Sequence, residues 1–358
     1  MADAYYQQQD EKNILKIREI LETLPGFCRS FFHDISDYTS TRTRLAYAYD
    51  LRVFFEYIHE NNPVYGKMPV HDYPIEILDR ITKDDIYEYL DYMALYEKDG
   101  KKMVNHEKGK ARKIASLRSF YNFYFKNEKI RTNPAALISL PKQHDKEIIR
   151  LEPNETAIML DQVENGEKLT KKQLQFHGKT KVRDLAILTT LLGTGIRVSE
   201  LVGLNIKDVD LENGGLTVHR KGGYNAIVYF GDEVEAALSD YLLERKEMHP
   251  VREMDEEALF LSLQNKRITV RAVENLVKKY ARNTTTLKNI TPHKLRSTYG
   301  TSLYNETGDI YLVANVLGHK DVNTTRKHYA AISEETRRKA ANAVKLREDT
   351  DLPHEDHP

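Results

Sequence analysis

Apolar residues recur every three or four positions along most of this chain, which predicts a mainly helical protein. The first such stripe is Ile14, Ile17, Ile20, Leu21 and Leu24, closed by Pro25-Gly26 and followed by a short aromatic piece with Phe31 and Phe32. A second begins near Ser40 with Leu45, Tyr49, Val53, Phe54 and Ile58, and stops at Asn61-Asn62-Pro63. Thr82 can cap a third helix, with Asp85 three residues on, a core face of Ile86, Leu90 and Met93, and an end at Gly100. The fourth, near residues 110–125, turns Ile114, Leu117 and Tyr121 inward.

Asn133-Pro134-Ala135-Ala136 breaks this pattern, and Leu140-Pro141-Lys142 with the polar run after it reads as an interdomain linker. Beyond it the chain predicts a helix over 152–163, a long polar loop over 164–181, and a buried stripe of Leu185, Leu188, Leu191 and Leu192 ended by Gly193-Thr194-Gly195. Two short strands, 216–219 and 226–230, flank Arg220-Lys221-Gly222-Gly223. Further helices are expected over 233–245 and 270–282 and from Ser333, ahead of an acidic tail. The fold class is mainly α with a small β-sheet, an α+β organisation in two domains. The expected divisions are an N-terminal extension (1–38), a helical domain (39–136), a linker (137–152), a second domain (153–340) and the tail (341–358).

Composition narrows this little. Lys and Arg together number 54 and so do Asp and Glu, so the net charge of zero is unlike a simple polyanion binder. Distribution is more telling: residues 98–131 hold eleven basic and three acidic residues, a surplus of eight. Such a run is either a solvated face or a phosphate-contacting surface, with Lys110, Arg112, Lys113 and Arg118 as the candidate DNA contacts. Arg271 and Lys278 join them, on a helix able to lie along a backbone. The single Cys28 excludes an internal disulfide, no Cys/His spacing suits zinc, and neither a secretory leader nor an apolar run of membrane-spanning length is present. A cytoplasmic protein without metal or nucleotide cofactor is expected.

The chemistry concentrates in residues 291–329. Leu295, Tyr299 and Leu303 recur at helical spacing, which puts His293 and Arg296 on one face at a helix start. Thr307-Gly308 stops that helix, and Asp309 can cap the next, carrying Ile310, Val313, Val316 and Leu317 to a stop at Gly318 before His319. Tyr329 follows ten residues later. Upstream, Arg197 follows the Gly193-Thr194-Gly195 turn, beside Ser199 and Glu200, and suits either a fixed phosphate clamp oriented by Glu200 or an ordinary surface arginine capped by Glu200. Any one of these residues alone would pass for packing or a solvated charge. Together they offer a phenol, two arginines, a lysine and two histidines, a set suited to transesterification at a phosphodiester.

The order H-x-x-R, L-G-H, Y resembles the catalytic core of the tyrosine recombinases, the lambda-integrase and Xer family. Thr194-Gly195-Ile196-Arg197-Val198-Ser199-Glu200-Leu201 resembles that family's arginine box, and Asn133-Pro134-Ala135 its interdomain passage. The resemblance runs over roughly residues 40–329 and is nearest the single-recombinase XerS type, on the extended N-terminus and the long 164–181 loop. It implies a C-shaped clamp on duplex DNA, built from a SAM-like core-binding domain and a catalytic domain. It also implies roles: Tyr329 as nucleophile forming a 3′-phosphotyrosyl bond, His293 as base, Arg197 and Arg296 on the non-bridging oxygens, Lys221 as acid for the leaving 5′ oxygen, and His319 on the phosphate. Lys221 is chosen over Arg220 although R-K-G-G departs from the usual G-K-G.

The implied biology is resolution of chromosome dimers at a dif-like site, with a homodimer on each site, a homotetramer in the synapse, and an FtsK-type DNA translocase as stimulating partner. The terminal helix is expected to pack on a neighbouring protomer. An integrase of a phage or conjugative transposon would use the same chemistry, a type IB topoisomerase would share its phosphotyrosine step, and a non-catalytic architectural DNA-binding protein would share only the fold.

Overall fold

The computed structural model describes residues 4–98, 100–140, 149–220, 222–285, 287–319 and 322. The chain divides into two compact units, 1–146 and 147–358. Lys221, Tyr329, the linker core 141–148, the helix expected from Ser333 and the acidic tail lie outside the described residues.

The first unit comprises α1 (Ala4–Leu21), α2 (Cys28–Asp34), α3 (Thr41–Asn61), α4 (Ile77–Arg80), α5 (Lys83–Tyr92), the strands β1 (Leu95–Lys98) and β2 (Lys101–Val104), and α6 (Glu107–Lys126). Thr82 and Asp85 exchange the expected capping bonds, at 2.7 and 3.2 Å, and α3 starts with Ser40 Oγ accepting from Thr43 N at 3.3 Å. Residues 1–38 are not a separate extension. Ile17, Ile20, Leu24, Cys28, Phe31 and Phe32 share one core with Phe54 and Phe55 of α3 and Phe120 of α6. Phe31 and Phe120 meet edge to face, 5.2 Å apart at 87°.

Nor does a helix run on to Gly100. It ends at Tyr92, and β1 and β2 pair as an antiparallel hairpin, with Leu95 opposite Val104 and Gly100 at φ +70° in the turn. Asp99-Gly100 is the dipeptide that favours such a turn.

Part of the basic run on α6 is engaged within the unit. Arg112 donates to both oxygens of Asp50, Lys113 Nζ reaches the same carboxylate at 3.0 Å and Ser116 Oγ at 2.7 Å. Asp50 is only 2% exposed, and Lys113 5%. Arg118 donates to the carbonyls of Ala135 and Ile138, closing the short 3₁₀ turn Pro134–Leu137. A charge run therefore serves partly as internal pairing, because a buried carboxylate needs compensating cations. Of the four contacts expected on α6, Lys110 keeps a partly exposed position without such a commitment, whereas Arg112, Lys113 and Arg118 are bound within the unit.

The second unit holds α7 (Pro153–Asn165), α8 (Lys171–His177), α9 (Lys181–Thr194), α10 (Val198–Gly203), a sheet of β3 (Val209–Asp210), β4 (Gly215–Arg220) and β5 (Tyr224–Tyr229), then α11 (Asp232–Lys246), α12 (Val270–Thr284), α13 (Pro292–Thr307) and α14 (Ile310–Leu317). The sheet is antiparallel in the order β3-β4-β5, with Leu216 opposite Val228 and Arg220 opposite Tyr224. The segment 164–181 is not one loop. Thr170 Oγ1 and Gln173 cap each other at 3.3 and 2.9 Å and start α8. Central to the unit is α9, whose Ala186, Ile187, Leu188 and Leu191 are fully buried and which packs on α7, α11 and α13. Its Asp184, 2% exposed, receives Arg183 at 2.6 Å, Lys279 at 3.1 Å and the Tyr280 hydroxyl at 3.1 Å, tying α9 to α12. That hydroxyl lies 3.5 Å from Nδ1 of the buried His177 of α8.

Candidate active site

The site is built where α9 ends. Gly195 takes φ +62°, and a Cβ there would fall on the Tyr299 ring and 2.9 Å from Leu317 Cδ2, so the turn needs glycine both for its backbone and for close approach. That turn delivers Arg197 to the start of α10. The Arg197 backbone N–H donates to Glu200 Oε2 at 2.8 Å and its Nη1 to Glu200 Oε1 at 2.7 Å. Glu200 is 3% exposed, so both ends of the arginine are held by one buried carboxylate. The contact with Glu200 is common to both readings of Arg197, the oriented clamp and the surface arginine capped by that carboxylate.

Pro292 opens α13, where a missing N–H costs nothing. His293 is exposed in the first turn, and Arg296, one turn on, is 4% exposed. The Arg296 guanidinium donates to Gly195 O at 2.6 Å and to Leu317 O, joining the arginine turn to the end of α14. The helix α14 starts as expected, with Asp309 Oδ1 accepting from Tyr311 N and Leu312 N at 2.8 and 3.0 Å. It ends at Gly318, φ +63°, after which His319 N donates back to Ala314 O at 2.9 Å.

Three guanidinium groups meet at this helix end. Arg220 Nη2 donates to Val316 O at 2.7 Å and Nη1 to Asn315 O at 3.4 Å, Arg296 takes Leu317 O, and Arg197 Nη2 lies 3.4 Å from Gly318 O. Four successive carbonyls at the helix terminus, of which Asn315 O also accepts from Gly318 N at 2.9 Å, thus meet three cations, a placement the helix dipole favours. Burial pushes the phenol of neighbouring Tyr299 up, which keeps it a neutral packing group.

The structure therefore brings together Arg197, Glu200, Arg296 and the turn bearing His319, with His293 one turn before Arg296 on the same helix. Arg220 is the member that sequence reasoning passed over. Its role depends on carbonyls about 95 residues away, and no local signal distinguishes it from a hairpin-tip cation. Of the DNA contacts expected on α12, Arg271 pairs with Glu274 at 3.2 Å on the surface and Lys278 is exposed. Among the described residues no helix is long and apolar enough to cross a membrane.

A two-unit, mainly helical chain whose second unit sets arginines from separate elements around one helix terminus beside a histidine turn has the architecture of the Phage integrase family, and that family's sequence profile matches residues 150–336. The tyrosine recombinase XerC of Caldanaerobacter subterraneus subsp. tengcongensis is 33% identical over 312 residues, covering 85% of this chain and 81% of that protein. XerC of Leptospira interrogans serogroup Icterohaemorrhagiae serovar copenhageni is 30% identical, covering 83% and 85%. The fold is shared with the XerH site-specific recombinase in its pre-cleavage complex with difH substrate, at TM-score 0.59 and 20% identity over 84% of this chain and 79% of that one.

The chain belongs to the phage integrase family, the tyrosine recombinases, which are DNA strand-transferring enzymes. Within that family it is a recombinase of the Xer type.

Proposed function

We propose that Tyr329 is the nucleophile of a site-specific recombination reaction on duplex DNA, and that Arg197, Lys221, His293, Arg296 and His319 complete the catalytic set. The observation that supports this most is the meeting of Arg197 and Arg296 on the successive carbonyls of Leu317 and Gly318, directly before His319. Groups fixed that closely can address the oxygens of one phosphate, and preorganised charge of this kind is a main source of catalysis in phosphoryl transfer.

In the proposed reaction the Tyr329 oxygen attacks the scissile phosphorus and its proton passes to His293. Arg197, oriented by Glu200, and Arg296 hold the non-bridging oxygens while His319 hydrogen-bonds the phosphate. The P–O5′ bond breaks, and the departing 5′ oxygen takes a proton from Lys221. The products are a 3′-phosphotyrosyl bond and a free 5′ hydroxyl. Because the phosphoester energy is retained in the covalent intermediate, a 5′ hydroxyl from a second duplex can reverse the step without ATP. Lys110, Arg271 and Lys278 are proposed to contact the DNA backbone. Arg112, Lys113 and Arg118, bound within their own unit, serve to shape it.

The Xer-type relatives, matched over more than four-fifths of both chains, support a further reading: a cytoplasmic recombinase acting at a dif-like site to resolve chromosome dimers at cell division. It would bind each site as a homodimer, pair two sites as a homotetramer and respond to an FtsK-type translocase.

The test begins by selecting bound duplexes from fragmented genomic DNA of the source cell. Nicked suicide versions of the selected site are then incubated with the native protein and with Tyr329→Phe. The expected result is a denaturant-stable adduct with the native protein alone, mapping to Tyr329 on a 3′ phosphate. An adduct on another tyrosine, or saturable binding with no adduct, overturns the assignment, and the latter outcome leaves an architectural DNA-binding protein. Selected sites at the ends of a mobile element, rather than one chromosomal site, would identify an integrase.

A further inference from the structure

Arg220 is the last residue of β4, and Lys221, the proposed acid, follows it directly in the chain. Yet Arg220 is 7% exposed, and its guanidinium leaves the hairpin to lie on the carbonyls of Asn315 and Val316. It also covers Gly318: a Cβ at that glycine would sit 2.5 Å from Arg220 Cζ and collide with Nη1. Nε is buried without a hydrogen-bond partner among the described residues, so the group is placed by its two forked Nη contacts alone.

Elsewhere along this side the hairpin and α14 do not close on one another. An open groove of about 520 Å³ runs between them, lined by Ala226, Val228 and Tyr229 from one and Ala314 and Val316 from the other. Arg220 spans that gap, from the strand that runs into Lys221 to the helix end that carries His319.

We infer that Arg220 is a positioning residue: it locks the end of β4 to the α14 terminus and so fixes where the hairpin delivers its acid relative to the phosphate-binding arginines and His319. The inference rests on the proposed role of Lys221. The chemistry requires such a lock. Proton transfer to a leaving oxygen demands placement within hydrogen-bond reach, and Arg220 is the fixed residue next to Lys221 in the chain. A lysine at position 220 would keep the charge but lose the fork that takes two carbonyls at once.

A change of leaving group isolates this role. With a 5′-bridging sulfur at the scissile phosphate, the P–S bond breaks to a thiolate. Thiols have a pKa of about 8.5, so this group departs without a proton, unlike an alkoxide. Single-turnover cleavage of the selected suicide duplex is compared with bridging oxygen and with bridging sulfur, alongside DNA affinity. For Arg220→Ala the expected result is a loss on the order of 10- to 100-fold with oxygen, and a rate within about threefold of native with sulfur. Arg220→Lys should fall between. Lys221→Ala should show the same pattern, more severely.

Equal loss by Arg220→Ala on both substrates, while sulfur rescues Lys221→Ala, would refute the positioning role and leave the acid assignment standing. Failure of sulfur to rescue Lys221→Ala would remove the acid assignment, and the positioning role with it. If Arg220→Ala does not fold, Arg220→Lys carries the test, because it keeps the buried charge and loses the fork that takes two carbonyls at once. It should give a smaller, sulfur-rescued defect, and equal loss on both substrates would again refute the proposal.

Discussion

Arg296→Ala should destabilise the second unit as well as stop strand cleavage. Arg296 is 4% exposed and bridges Gly195 O and Leu317 O, so truncation leaves two buried carbonyls short of a partner. Hydrogen bonds to a charged donor contribute about 1.5–3 kcal/mol each, giving a gross loss of about 3–6 kcal/mol. Removing the buried cation also removes its own desolvation cost, and the net expectation is therefore about 3 kcal/mol. For a unit of this size each kcal/mol shifts Tm by about 2–4 °C, so the unit should melt about 6–12 °C lower. Calorimetry of the full-length protein is the assay. The shift should fall on the transition of residues 147–358 alone, because the two units have separate cores and need not unfold together. A melting profile unchanged to within about 1 °C would refute the structural role and leave Arg296 with a purely catalytic one. If the shift is found, cleavage by the variant must be measured well below its melting range before any rate loss is assigned to chemistry.

Three further outcomes follow from the same geometry. Asp50→Asn strands Lys113, 5% exposed, and the half-exposed Arg112, and should cost the first unit about 3 kcal/mol in urea unfolding; Asp50→Asn with Lys113→Met should recover part of that. Glu200→Gln keeps a cap for α10 but weakens the hold on Arg197, so single-turnover cleavage should fall on the order of 10- to 100-fold with Tm nearly unchanged; a normal rate would release Glu200 from its orienting role. Burial, reinforced by nearby Lys279, holds the pKa of His177 below its ordinary value. The unfolded chain therefore binds the proton first, and stability present above about pH 6.5 is lost as pH falls toward the folded-state value. His177→Gln should flatten the dependence of Tm on pH between 7 and 5, and an unchanged slope would exclude His177 as its source.

Legibility in the sequence followed the range of the interactions. Helix starts set by neighbours three residues apart, such as Thr82 with Asp85 and Asp309 with Leu312, could be read directly, as could the glycine stops at 308 and 318. The sequence also carried the Asp99-Gly100 hairpin signal and the Thr170/Gln173 cap, but these were masked by the polar character of their surroundings. What no local pattern could supply was the fate of the cations. Lys113 and Arg112 are committed by Asp50, more than 60 residues earlier, and Arg220 by the end of a helix beyond 310. A charge run discloses sign and density. Whether it meets solvent or a buried carboxylate is decided by tertiary contacts.

The meeting of Arg197, Arg220 and Arg296 on main-chain carbonyls of one helix end, with Arg197 held also by the Glu200 carboxylate, bears on how this region can change. A main-chain oxygen is present whatever residue supplies it, so no single substitution in α14 can delete the acceptors. The helix is thereby free to vary on its outer face, where Tyr311 is 71% and Leu312 41% exposed, provided it keeps its length and its glycine terminus. An engineer could rewrite that face to alter what the enzyme meets without disturbing the arginines. Inserting or removing one residue before Gly318 would instead move all four oxygens at once.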